Sequence, residues 1–243
     1  MFSLDVRRQS VSKEFDNSNL NEDQVRVSEN FIALADGAGG TGILCGEWAE
    51  FLLNKIPEQP IKTFENFKDW LEQNIDGFLE TFEPIVSKDN FKMRRFYEEG
   101  SASTLAVVWQ NGNKFHWITY GDSHVFILNK NRLQTFPHKS AADFERGTYL
   151  LNWTYQPKEA GFNHGSCSKT SSFLLATDAI SKHIFEKYID PKGKSASIPL
   201  NELFEVLDTE QSFITYIKSE PTIPSDDYTM IVAKPYTQHY VPK

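Results

Sequence analysis

The sequence predicts an α+β fold in which strands and helices come in separate blocks, not a doubly wound parallel sheet. Three observations lead there. Short apolar runs bounded by turn residues gather at 24–36 and 103–136. Two helical stripes, 41–56 and 63–82, lie together between those runs. A second helical block over 178–218 is followed by one last apolar run at 228–234. With 243 residues, 40% apolar, the chain can bury one large core, and a single domain over 1–243 is expected.

Residues 24–28 and 31–36 read as a strand pair turned by Glu29-Asn30. In 41–56, Leu44, Trp48, Phe51, Leu52 and Ile56 recur at helical spacing, and Pro57 ends the run. In 63–82, Phe64, Phe67, Leu71, Ile75, Phe78 and Phe82 form one stripe, expected to face the core and not a partner helix. Pro84 punctuates this helix, and 85–97 carries a weaker helical pattern. Residues 103–109 are apolar on both faces. Asn111-Gly112-Asn113 is a hairpin turn into 114–120. Gly121-Asp122-Ser123 leads to 124–128, and Asn129-Lys130-Asn131 turns into 132–136. The run from 103 to 136 predicts one antiparallel meander. Residues 137–170 lack periodicity and read as a loop or irregular insertion. A buried strand over 171–177, a helix over 178–188, a helix over 200–218 broken near Asp208 and a strand over 228–234 complete the chain.

A formal net charge of −8 disfavours nucleic-acid binding and suits carboxylates that hold cations. Cys45 and Cys167 lack metal or redox spacing and read as packed thiols. The N-terminus shows no apolar signal segment, and no run reaches the roughly 18 apolar residues of a membrane span. A soluble cytoplasmic protein without a membrane partner is expected. His116, His138, His164, His183 and His239 do not pair at metal-ligand spacing and are expected to be structural or solvated.

The chemistry gathers on acids at strand mouths. Glu22 and Asp23 precede one strand, Asp36 and Asp178 each follow one, and Asp226 and Asp227 precede the last. Any single Asp is explained by a turn or a helix cap. Brought together, these carboxylates would repel unless divalent cations sat among them, and oxygen-only ligation suits Mg²⁺ or Mn²⁺. A rival reading starts from the same turn. Gly37-Ala38-Gly39-Gly40-Thr41-Gly42 satisfies G-x-G-x-x-G between a strand and a helix, as in nucleotide sites. That fingerprint needs a second parallel strand after its helix, and here another helix follows.

The ordered set resembles the metal-dependent protein phosphatases, the protein phosphatase 2C family, in a compact bacterial form. Asn21-Glu22-Asp23, Asp36-Gly37-Ala38-Gly39-Gly40, Gly100-Ser101-Ala102-Ser103-Thr104, Gly121-Asp122-Ser123-His124, Thr177-Asp178-Ala179 and Asp226-Asp227-Tyr228-Thr229 match its motifs in order. The resemblance implies a four-layer α-β-β-α sandwich with two central antiparallel sheets. It implies two divalent ions, Mn²⁺ or Mg²⁺. Asp36, Asp178 and Asp226 would hold one; Glu22, Asp36 and the Gly37 carbonyl would hold the other. Asp23 would hydrogen-bond the water that attacks phosphorus, with Asp36 central to catalysis. The implied activity is phosphoserine/phosphothreonine protein phosphatase, with a phosphorylated protein as substrate and a Ser/Thr kinase as opponent. A substrate-facing flap is implied at 137–170. Four positions depart from the family. Ser18 stands where an Arg grips phosphate, with Arg7 or Arg8 as substitutes. Ala38 stands where some members have a His, His124 where Arg is usual, and Ala179 where Gly is usual. These losses leave a second reading, a catalytically silent binding module on the same fold.

Overall fold

The computed structural model describes residues 3–15, 21–130, 132–189 and 197–236. Ser18, Asn131 and His239 lie outside them. The strands are β1 (Leu4–Val11), β2 (Gln24–Val27), β3 (Phe31–Ala35), β4 (Leu105–Asn111), β5 (Lys114–Tyr120), β6 (His124–Asn129), β7 (Arg132–Phe136), β8 (Phe162–Ser168), β9 (Ser172–Ala176) and β10 (Tyr228–Pro235). The helices are α1 (Cys45–Asn54), α2 (Phe64–Val86), α3 (Asn90–Glu98), α4 (Asp178–Tyr188), α5 (Leu200–Val206) and α6 (Glu210–Ser219). Two antiparallel sheets form among the described residues, ordered β1-β10-β9-β6-β7 and β2-β3-β4-β5-β8.

Side-chain alternation makes four layers from these elements. Ile32 and Leu34 of β3, Ala106 and Val108 of β4, Phe173 and Leu175 of β9, and Ile231 and Ala233 of β10 meet between the sheets. The intervening Phe31, Ala33, Leu105, Val107 and Trp109 face outward onto Trp48, Phe67, Phe78 and Phe96 of α1–α3. On the other side Leu174, Met230 and Val232 pack against Ile180, Ile184, Phe213 and Ile217 of α4–α6. A strand covered on both faces has no polar side, which is why 103–109 reads as continuously apolar. Among the described residues no helix is long and apolar enough to cross a membrane.

Four expectations need correction. The run 103–136 is not one meander: β5 pairs with β4 and β8, whereas β6 pairs with β7 and β9. The chain crosses between sheets at Gly121-Asp122-Ser123. Residues 162–168 are not loop but β8, an edge strand with alternately exposed residues, hence its polar sequence. Gly165 gives Trp117 room there, since a Cβ would come within 2.6 Å of the indole. The first helix starts at Cys45 and not at 41, because Leu44 turns left-handed at φ 58°. Pro84 lies inside α2 without ending it. The proline removes one i→i−4 hydrogen bond, and the helix runs only two residues further, to Val86. β1 was not anticipated, because charged residues of an edge strand mask its Leu4 and Val11. The break near Asp208 is present, and the Thr209 hydroxyl caps α6 by accepting from Ser212 N–H at 3.1 Å.

Candidate metal centre

Strand pairing decides which acids meet. Gln24 pairs with Ala35, so Glu22 and Asp23 lie beside Asp36. Met230 pairs with Ala176, so Asp178 lies beside Asp226 and Asp227. The two sheets deliver these mouths to one end of the sandwich, around a cavity of about 570 Å³. Glu22, Asp36, Gly37, Asp178 and Asp226, all anticipated from sequence, line it together. Asp122 and Asp227 line it as well. Asp23 is buried behind the wall, where its Oδ2 accepts from the Thr177 hydroxyl at 2.9 Å.

Each acid is held by local chemistry. Asp36 ends β3, and its carbonyl accepts from Thr104 N–H at 2.9 Å. The Thr104 hydroxyl shares a 2.5 Å hydrogen bond with Ser123, bracing the Asp36 turn against the crossover. Glycine is needed twice in the turn itself. A Cβ at Gly37 would lie 2.8 Å from the Glu22 carbonyl, and one at Gly39 would overlap the Glu22 carboxylate. Asp178 opens α4, with Oδ1 accepting from Ala179 N–H at 2.5 Å. Asp227 is a clamp: Oδ1 accepts from Lys13 N–H at 3.0 Å and Oδ2 from Glu22 N–H at 2.7 Å. Asp226 Oδ1 accepts from Asp227 N–H at 2.8 Å.

The electrostatics are one-sided. Burial, then the Asp23, Asp178 and Asp122 charges, holds the Asp36 carboxyl well above the usual carboxylate range. Burial followed by Asp122 and Asp226 pushes Asp178 up to about 7. Burial, then Asp227, raises Glu22, and Lys13 opposes the rise. Burial is also the main cause of the upward shift at Asp23. Among the described residues no three Asp, Glu, His or Cys side chains stand close enough together to hold a metal ion as they are. The acids stand around an open cavity instead. An all-oxygen donor set, desolvated and carrying like charge, fits Mg²⁺ or Mn²⁺ and not Zn²⁺.

Asp122 was missed as a site residue. Its signal is Gly121-Asp122-Ser123, which from sequence reads as a turn within one meander. Gly121 has φ +85°, and a Cβ there would meet Thr104 Cγ2 at 2.7 Å. The crossover thereby turns Asp122 into the cavity, where Oδ2 accepts from the Thr148 hydroxyl at 2.5 Å. His124 is structural: Nδ1 lies 3.0 Å from the Asp122 carbonyl, and Nε2 accepts from His138 N–H at 3.2 Å. Burial pushes this ring down to about 3, so it stays neutral. Arg7 does not reach the cavity. It pairs with Glu205 and Asp208 and covers the Phe204 ring. Arg8 does not line the cavity either. The nucleotide reading fails on topology, since β3 pairs antiparallel with β4 and no parallel crossover unit exists there.

A family model described as Protein phosphatase 2C matches residues 14–218. No curated protein matches the chain by sequence. Solved structures share the fold at low identity. The serine/threonine phosphatase PstP/Ppp of Mycobacterium tuberculosis superposes with TM-score 0.59 at 17% identity, covering 96% of this chain and 99% of that one. PppA, described as a key regulatory component of the type VI secretion system in Pseudomonas aeruginosa, gives 0.60 at 18%, covering 95% and 98%. The catalytic domain of PstP in complex with two manganese ions gives 0.56 at 18%, covering 95% and 97%.

Proposed function

Because the chain belongs to the protein phosphatase 2C family, we propose that this phosphatase hydrolyses phosphoserine and phosphothreonine in proteins with two divalent ions, Mn²⁺ or Mg²⁺. One observation carries the reading: acids from separate strand mouths of two sheets line one cavity, and burial with mutual repulsion raises the carboxyls of Glu22, Asp36 and Asp178. Asp36, Asp178 and Asp226 would hold one ion; Glu22, Asp36 and the Gly37 carbonyl would hold the other. The Gly37 oxygen also accepts from Gly39 N–H at 2.9 Å, which leaves one lone pair for a ligand. When bound, such ions acidify a water and offset charge on phosphoryl oxygens. Asp227 fixes the Glu22 backbone relative to the end of β1. Asp23 keeps the role of hydrogen-bonding the attacking water only through an oxygen not tied to Thr177, since Oδ2 is held there behind the wall. Ala38 carries no proton donor, so no side chain of the glycine turn protonates the leaving group.

Family membership supports a phosphorylated protein as substrate; an opposing Ser/Thr kinase belongs to the same reading, and the part of the flap segment ahead of β8, 137–161, is assigned to substrate choice. The two free thiols fit a reducing compartment, and we place the activity in the cytoplasm. Neither thiol acts in the chemistry: burial pushes Cys45 up to about 11. The test is hydrolysis of p-nitrophenyl phosphate after chelation. EDTA should abolish turnover, Mn²⁺ should restore it, and thiol alkylation should change little. Full activity in EDTA overturns the two-ion reading. No turnover with any divalent ion leaves the silent binding module.

A further inference from the structure

We propose that Lys13 is the cation that receives the substrate phosphate at the cavity mouth. The inference rests on the phosphatase reading and adds a residue to it. A phosphate monoester approaches as an anion, and the walls it meets carry Glu22, Asp36, Asp122, Asp178 and Asp226. Ions held by those acids offset charge inside. At the lip a positive group lowers the barrier that a dianion meets in passing the acids. Among the described residues Lys13 is the one Lys or Arg that lines the cavity.

Its setting fits that task. The side chain is exposed, and among the described residues its ammonium makes no ion pair. Its backbone is fixed, because the carboxylate that accepts from Lys13 N–H also accepts from Glu22 N–H. One clamp therefore sets the root of the lysine against a metal-facing acid and leaves the long stem free to swing. The competing cations are placed otherwise. Arg7 is engaged by Glu205 and Asp208. Lys182 acts on Asp178 without lining the cavity. A purely structural Lys13 would only soften repulsion at Glu22, and its loss would change metal affinity instead of phosphate affinity.

The experiment separates these roles. KM and kcat for p-nitrophenyl phosphate, inhibition by inorganic phosphate, and Mn²⁺ affinity by calorimetry are measured on the full chain and on Lys13→Ala, Lys13→Arg and Lys182→Ala. With Lys13→Ala, KM and the phosphate inhibition constant should rise together, by about three- to tenfold for one partly exposed charge-assisted contact. The kcat and the Mn²⁺ affinity should stay within about twofold, Lys13→Arg should restore both constants, and Lys182→Ala should leave KM unchanged. A shift in Mn²⁺ affinity with KM unchanged at saturating metal overturns the proposal, as does a KM rise seen only in Lys182→Ala. A wild-type chain without turnover contradicts the phosphatase reading instead. Lys13 is then judged by calorimetry with inorganic phosphate in Mn²⁺: weaker binding by Lys13→Ala supports its role, and equal binding, or none by wild type, overturns it.

Discussion

The carboxylate cavity and the buried His183 cluster hang on the same helix, and their polar groups are treated in opposite ways. α4 begins at Asp178 and carries His183 one and a half turns later. His183 is fully buried, yet both ring nitrogens have partners: Thr222 Oγ1 at 3.0 Å and Tyr216 Oη at 3.1 Å. Glu220 stands 3.9 Å from Nε2 and is itself paired with Lys187. Burial holds the imidazole below its usual range, so it remains a neutral, satisfied tie between α4 and the α6 end. At Asp178 the same helix meets acids of its own sign. A buried polar group with its partners in place stabilises the fold, whereas clustered like charges require something from outside. The contrast recurs between neighbours. Asp227 accepts two backbone N–H groups, while Asp226 beside it accepts one and faces the cavity.

The largest expected effect tests that division directly. Asp36→Asn should lower kcat by about 10²-fold or more, in the range for removing an electrostatic stabiliser of the transition state. Asp227→Asn should cost far less turnover. It should instead lower stability by about 1–3 kcal/mol, because one of two N–H donors loses its acceptor. His183→Gln should leave kcat near wild type. Comparable kcat losses for Asp36→Asn and Asp227→Asn would erase the distinction between cavity acids and clamp.

pH separates the two regions next. The cavity acids have folded pKa values above their unfolded ones, so between about pH 4 and 7 the metal-free native state holds more protons than the unfolded chain. Their contribution is therefore present at low pH and is lost as pH rises through about 7, the Asp178 value. His183 has the opposite sign. Its folded pKa lies below about 6.5, so its contribution is present above that pH and is lost as pH falls. Thermal unfolding of the EDTA-treated protein should show the first trend weakened by Mn²⁺, with about 2.7 kcal/mol of stabilisation at 100 times the dissociation constant. An identical pH profile with and without Mn²⁺ would disprove the raised acids. His183→Ala should destabilise by about 1–3 kcal/mol at pH 7 and flatten the acid limb, since two hydroxyls lose a partner. An unchanged acid limb would move that dependence to the other buried histidines.

Most of the site was legible because each of the cavity acids anticipated from sequence follows or precedes a strand whose apolar pattern is strong. Phe31–Ala35 and Ser172–Ala176 are nearly all buried, and the acid at each mouth stands out against them. Asp122 was hidden for a topological reason. A Gly-Asp-Ser turn between two apolar runs looks the same whether the strands pair or part, and only tertiary packing sends β5 and β6 to different sheets. β1 and β8 were hidden because edge strands carry polar residues on an open side. The role of Lys13 had no local sequence signal at all. It depends on Asp227, more than two hundred residues away, holding that segment over the cavity.

The smallest effect is expected beside the cavity, in the segment assigned to substrate choice. Cutting out 137–170 as a flap would not test it. Leu151 and Trp153 of this segment belong to the α1–α3 side of the core, and Trp48 Nε1 donates to the Leu151 carbonyl at 3.1 Å. Tyr155 and Lys158 are better probes. They line a neighbouring hollow of about 420 Å³ that shares Thr148 and Leu150 with the carboxylate cavity, and both are exposed. A substrate polypeptide leaving the cavity on that side would cross them, whereas a small aryl phosphate would not. Tyr155→Ala and Lys158→Ala should each raise KM for a phosphoprotein by up to about fivefold, the equivalent of one exposed contact near 1 kcal/mol. Turnover of p-nitrophenyl phosphate should not change. Equal loss on both substrates would assign this wall to the support of Thr148 and Asp122 and would extend the catalytic region into it. Loss on neither would confine recognition to the cavity mouth.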